Sequence, residues 1–275
     1  MNSLNELGAC ELAQKIRDHE ITSEALVRDC LDRVGDREQE VGAWQYLDRE
    51  AALYQARICD SSPVKGALHG VPVGIKDLID TCDMPTCYGS SIYAGHQPAF
   101  DAGCVSLLRE AGAVIMGKTV TTEFAAFNPP ETRNPHNFSR TPGGSSSGSA
   151  AAVADKMVPL AIGTQTAGSV IRPAAFCGVV GFKPTFHYFP TTGVKPISSE
   201  LDTLGVFARS MRDVALVSNC LVQRRPALSN VNPEPISVGL FKGPHWAKID
   251  ESAKAALEGL WGQLGAEQSP IISRA

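Results

Sequence analysis

The chain has 275 residues, enough for one large domain or two small ones around a sizeable core. Hydrophobic residues make up 43% and charged residues 20%, a globular composition that excludes global disorder. The formal net charge of -4 argues against nucleic acid or an anionic membrane as the main partner.

Residues 3–34 read as two helices. Thr22 is placed to cap the second, in which Ala25, Leu26, Cys30, Leu31 and Val34 recur at helical spacing. The early charges and the lack of a long apolar region do not fit a signal peptide, and no run of 18 apolar residues occurs anywhere. VGAWQYLD, from Val41, reads as a strand, and helix returns at Arg49. LHGVPVGIKD, residues 68–77, reads as a turn and a buried strand with Lys76 and Asp77 at its end. CVSLLREAGAVIMGK gives a helix, a stop at Gly112 and a strand. Further strands are expected at Val158, Cys177 and Ile236, then a helix from about Asp250. Arg224 opens a Pro-rich connector, RRPALSNVNPEP, that reads as a subdomain boundary. Alternating strands and helices predict an α/β fold with a mixed, largely buried sheet core flanked by helices.

Eight scattered cysteines with no CxxC pair read as free thiols of a reducing cytoplasm, so the expected location is cytoplasmic. Neither the cysteines nor the six histidines show metal-ligand spacing, and no metal or other cofactor is expected. His69, His136 and His187 read as structural or surface residues.

GGSSSGSAAAVA, residues 143–154, is compositionally unusual. A flexible linker should separate independent units, whereas here a helix follows at once and core strands flank it. A Walker A loop needs Lys and Ser/Thr after its second glycine, and Gly148 is followed by Ser149 and Ala150. G-x-S-x-G centred on Ser146 fits a nucleophile elbow, but NPHNFSRTPG before it reads as loop rather than strand.

Together with GVPVGIKDLID, which carries Lys76, and GTQTAGSVIRPAAFCGVVGFKPT, which carries Ser169 and Arg172, the stretch resembles the amidase signature family of serine hydrolases. The motifs occur in the family's order, densest from Gly143 to Thr185, and the GSVIRP form is most like malonamidase-type members. The resemblance implies the amidase signature fold over residues 1–275 as a single domain, with a catalytic core at about 64–215 and a C-terminal part missing relative to the family. It implies a Ser–cis-Ser–Lys triad in which Lys76 is the base, Ser145 the bridge and Ser169 the nucleophile. Ser146 matches a supporting serine, and Thr166, Ala167, Gly168 and Ser169 match the oxyanion-hole loop. Two departures stand out: Ser147 and Ala167 replace common glycines, and Ala167 fits only if its φ is negative. Arg172 would bind a substrate carboxylate through its planar fork, against the alternative of a structural ion pair.

The chemistry suits these residue types. A serine hydroxyl needs a base to attack an amide, and a lysine serves when desolvation keeps it neutral. Asp77 would oppose that neutrality, but strand alternation sends it to the opposite face from Lys76. The expected activity is cofactor-independent hydrolysis of a small carboxylate-bearing amide. The alternatives are an amidotransferase A-type subunit releasing ammonia to a partner and an inactive binding or scaffold fragment. The expected partner is the amide substrate, with no nucleic acid and no membrane; a homodimer is left open. Without the family's later strands, the sheet is expected to leave an apolar edge uncovered and the chain to self-associate.

Overall fold

The computed structural model describes residues 3–222, 240 and 242–263. The chain divides into two compact units, Met1–Ala227 and Leu228–Ala275. The first unit opens with α1 (Ala9–Arg17) and α2 (Ser23–Val41), followed by β1 (Trp44–Leu47) and α3 (Arg49–Asp60). β2 (Pro72–Lys76), α4 (Gly103–Glu110), β3 (Val114–Thr119) and α5 (Ser147–Ala154) come next. β4 (Leu160–Gln165), α6 (Ile171–Cys177), β5 (Val180–Phe182), β6 (Thr203–Ala208) and α7 (Met211–Leu221) complete it. In the second unit, α8 spans Glu251–Gln263 and Lys242 pairs with Glu258. Among the described residues no helix is long and apolar enough to cross a membrane.

The six strands form one mixed sheet in the order β1-β3-β2-β4-β6-β5. β2 runs parallel to β3 and β4, and the outer pairings are antiparallel. β2, β3, β4 and β6 are buried along their whole length, as strands covered on both faces should be.

Most elements lie where the sequence predicts them. The Thr22 hydroxyl accepts from the Ala25 amide, so the predicted cap forms. Three details differ. Val41 ends α2 instead of opening a strand, because Gly42 turns left-handed (φ 62°) and the Glu38 carboxylate takes the Ala43 and Trp44 amides. The residues after Ser169 form α6, whose start is held by the Gln165 side chain accepting from the Val170 and Ile171 amides. β6 and α7 are additions to the expected elements; TLGVFA has no polar alternation because it is covered on both faces. Of the strand expected at Ile236, only Leu240, Lys242 and Gly243 are described, and none is extended into a sheet; the connector from Arg224 lies outside the described residues.

α5 explains the composition of the serine–glycine–alanine run. Ser147 through Val153 are all buried, so the helix is enclosed on every side and only small side chains fit. Its serines tie it to the sheet: the Ser149 hydroxyl donates to the Ile162 carbonyl and bonds the Thr119 hydroxyl. A Cβ on Gly148 would lie 2.2 Å from the Ala43 carbonyl oxygen and 2.4 Å from the Val120 nitrogen, both backbone atoms.

The N-terminal segment is fastened from far along the chain. Arg209 donates to the carbonyls of Asn5, Leu7 and Val158, and the Asp213 carboxylate accepts the Cys10 amide at the first turn of α1.

Because backbone cannot yield as a flexible side chain does, Gly148→Ala is expected to lower unfolding free energy by about 3 kcal/mol, the upper range for overpacking. Urea denaturation of the two proteins checks this; equal midpoints would place α5 more loosely than described.

Candidate active site

Lys76 is the last residue of β2 and wholly buried. Its Nζ donates to the Ser145 hydroxyl at 2.8 Å and to the Thr164 hydroxyl at 2.7 Å. Burial pushes its pKa well below the ordinary lysine value; the Asp202 carboxylate pulls weakly the other way. Asp77 faces elsewhere, as strand alternation predicts: its carboxylate meets Lys118 at 3.3 Å and accepts the Cys87 amide. Lys118 is equally buried and also donates to Thr86.

Ser145 and Ser146 occupy the turn that leads into α5. Gly143 has φ 80°, and a Cβ there would stand 3.1 Å from the Pro173 backbone, so the turn needs glycine for both reasons. The Gly144–Ser145 peptide bond is cis. The Ser146 hydroxyl donates to the Thr164 carbonyl and accepts the Thr164 amide, which fixes the end of β4 against the turn. That commitment, and the loop before it, exclude the nucleophile-elbow geometry for Ser146. Ser147 is accommodated as the first residue of α5, its hydroxyl donating to the Gly143 carbonyl at 2.7 Å.

Ser169 ends the loop after β4 and is 8% exposed. Its carbonyl accepts the Ser146 amide at 3.4 Å, which joins the two serine segments. Its hydroxyl makes no hydrogen bond to Ser145 among the described residues, so the structure unites Lys76 with Ser145 directly and brings Ser169 alongside through backbone alone. The amides of Thr166, Ala167, Gly168 and Ser169 donate to no protein group among the described residues, while the next two amides are taken by Gln165. Ala167 is exposed and does not adopt positive φ, so its methyl group is tolerated. The Thr166 hydroxyl donates to Asp202 at 2.5 Å.

Among the described residues Arg172 does not form the structural ion pair that is the alternative to substrate binding; its Nε and Nη2 donate to the Gly144 carbonyl at 3.0 and 2.7 Å. One edge of the guanidinium therefore steadies the serine turn, and the side chain is exposed beyond it. Gln165, Thr164 and Asp202 are supporting residues that sequence reasoning does not single out; only their place in the GTQT and LDT segments could have pointed to them.

His69 bonds the Cys59 carbonyl and His136 the Cys177 carbonyl, in keeping with structural roles. Among the described residues Cys82, Asp83 and Asp101 come within metal-ligating distance of one another, and Arg109 occupies both carboxylates.

A family model described as Amidase matches residues 25–272. The chain is 43% identical over 238 residues to the A subunit of glutamyl-tRNA(Gln) amidotransferase from Acidothermus cellulolyticus, covering 82% of this chain and 47% of the relative. It is 41% identical to the corresponding protein of Natranaerobius thermophilus, covering 93% and 57%. Among solved structures, peptide amidase from Stenotrophomonas maltophilia superposes with a TM-score of 0.75 at 36% identity, covering 81% of this chain and 49% of that one. An amidase family protein from Bacillus anthracis superposes with a TM-score of 0.85 at 29% identity, covering 99% and 61%. The chain spans about half the length of the curated relatives it matches.

The buried amine has a consequence for stability. Burial lowers the Lys76 pKa in the folded state, so between that lowered value and the free-lysine pKa the unfolded chain binds more protons. Wild-type stability should therefore rise with pH in that window, and Lys76→Met should lack this increment. Denaturation of both proteins from about pH 7 to 9.5, below the free-lysine value, should show the difference moving in favour of wild type; a constant difference would mean Lys76 stays charged.

Proposed function

The chain belongs to the amidase family, and on that premise we propose that it cleaves the C–N bond of a small carboxylate-bearing amide through an acyl-enzyme on Ser169. The observation that carries the reading is the desolvated amine of Lys76 resting on the Ser145 hydroxyl, with hydroxyls as its only hydrogen-bond partners among the described residues. Burial favours the neutral form of such an amine, which is then basic and connected to a proton carrier.

The relay follows from the contacts. With substrate present, the Ser169 hydroxyl turns onto Ser145; catalytic hydrogen bonds are commonly open without substrate and tighten in the complex. As Ser169 Oγ bonds to the carbonyl carbon, its proton passes to Ser145 and the Ser145 proton to Lys76. The carbonyl oxygen gains the negative charge, and the free amides of residues 166–169 are the donors available to it. Collapse breaks the C–N bond, and the proton returns from Lys76 through Ser145 to the leaving nitrogen. Water then repeats the sequence on the acyl-enzyme, releasing the acid and restoring Ser169.

Arg172 supports the substrate class. Its guanidinium holds Gly144 by one edge and has no carboxylate partner among the described residues, so Nη1 is free for an anionic group on the substrate.

A second reading is favoured by the curated relatives, whose names are those of an amidotransferase component. The same relay would then release ammonia from an amide for use by a partner protein. Recovery of the chain in a stable complex with other proteins, together with amide hydrolysis that rises on their addition, would support it over a free-standing amidase.

Ser169→Ala is expected to abolish covalent labelling by a fluorophosphonate while preserving the melting transition, read by intact-protein mass spectrometry. Labelling of the folded variant at the wild-type rate would remove Ser169 as nucleophile. For a carboxylate-bearing amide, conversion to the methyl ester should reduce kcat/KM by about tenfold or more, the scale of a lost charged hydrogen bond. Equal rates on acid and ester would make Arg172 a purely structural brace.

A further inference from the structure

Neutrality at rest is half of what the relay asks of Lys76. Resting on the proposed relay, the lysine must also carry a positive charge for the lifetime of the tetrahedral intermediate, in a site where burial denies it a hydration shell. Something must then stabilise the ammonium without protonating it beforehand.

Antiparallel pairing supplies a candidate. Gln165 stands opposite Thr203 and Thr164 opposite Leu204, so the residue before β6 comes level with the residue after β4. These are Asp202 and Thr166. The Thr166 hydroxyl donates to Asp202 Oδ1 at 2.5 Å, and the amides of Ile197 and Ser198 donate to Oδ2 at 2.7 and 2.9 Å. Among the described residues both oxygens are held by neutral donors alone. Asp202 and Thr166 line one narrow cavity with Thr164, whose hydroxyl is on Lys76.

Among the described residues, the other charges near the site are engaged elsewhere. On β2 and β3, Asp77 and Lys118 pair with each other. Lys195 lines the same cavity but lies over the Tyr88 and Tyr93 rings and donates to the Tyr93 hydroxyl. Arg172 is on the Gly144 carbonyl. β4, α5 and β6 contribute no titratable side chain. We infer that Asp202 is a positioning residue that braces the 166–169 loop through Thr166 and supplies the negative field that holds the relayed proton on Lys76. The upward pull of Asp202 on the Lys76 pKa, against the larger effect of burial, has the sign this role requires.

The two duties separate by mutation. Asp202→Asn keeps an acceptor for Thr166 and removes the charge; Thr166→Val keeps the charge and removes the brace. The Lys76 amine is titrated by NMR of isotope-labelled lysine side chains, assigned by its absence in Lys76→Met, and phosphonylation of Ser169 by a fluorophosphonate, with loss of fluoride, is timed across the same pH range. Asp202→Asn should move the Lys76 midpoint to lower pH and slow phosphonylation by about tenfold. Thr166→Val should slow phosphonylation and leave the midpoint in place. Should Asp202→Asn fail to fold, Asp202→Ser gives a second uncharged site for the same titration. An unmoved or raised midpoint in the folded uncharged variant would overturn the assignment, as would a Thr166→Val protein phosphonylated at the wild-type rate. Absence of labelling in wild type would instead overturn the relay, and the titration would still decide whether Asp202 acts on Lys76.

Discussion

An amine without water keeps its proton only at a high free-energy cost, and the geometry of the proposed site depends on that constraint at Lys76. The residue needs a strand buried on both faces, which the central position of β2 provides. It also needs its neighbouring carboxylate turned away, which strand alternation and Lys118 provide. It needs hydroxyl partners rather than charged ones, which Ser145 and Thr164 provide from two separate elements. None of these conditions suffices alone. An aspartate facing the amine, or a solvent path to it, would restore an ordinary lysine.

The serine turn and the helix behind it answer the same constraint. A helix that closes the inner face of the site must come close to the sheet, and α5 does so by having almost no side chains to hold it off. The three consecutive serines then diverge in use: one faces the lysine, one ties the end of β4, and one closes the turn on Gly143. Composition that looks like a linker is here the signature of an enclosed helix with a polar entrance.

Much of this is legible in the sequence because apolar periodicity and glycine stops carry their own physical meaning. The helices around Thr22 and Arg49 and the buried strands ending at Lys76 and Thr119 belong to that class. The departures have equally local causes. α2 overruns its expected end and stops only at Gly42, which turns left-handed while the Glu38 carboxylate takes the next two amides. α6 is hidden because its N-terminal support is the Gln165 side chain rather than a Ser, Thr or Asp cap. β6 escapes notice because TLGVFA is a short, fully buried run that periodicity alone does not tell from a buried helical segment. At the site, motif order points to Lys76, Ser145 and Ser169, but not to the twofold grip of Arg172 on Gly144 or to Asp202. Those depend on a chain reversal and a cross-strand register, which residue spacing does not encode.

The clasp on the N-terminal segment bears on how the chain is made. Arg209 and Asp213 hold Asn5, Leu7 and Cys10 across sequence separations of 202 to 204 residues. A ribosome therefore releases the first helix long before the residues that fasten it exist. Until then α1 lacks α7, the helix it packs against in the finished fold. Contacts of such separation are late and entropically expensive to close. During synthesis α1 is therefore fastened only after residue 213 has been made, and it stays open to a chaperone until then.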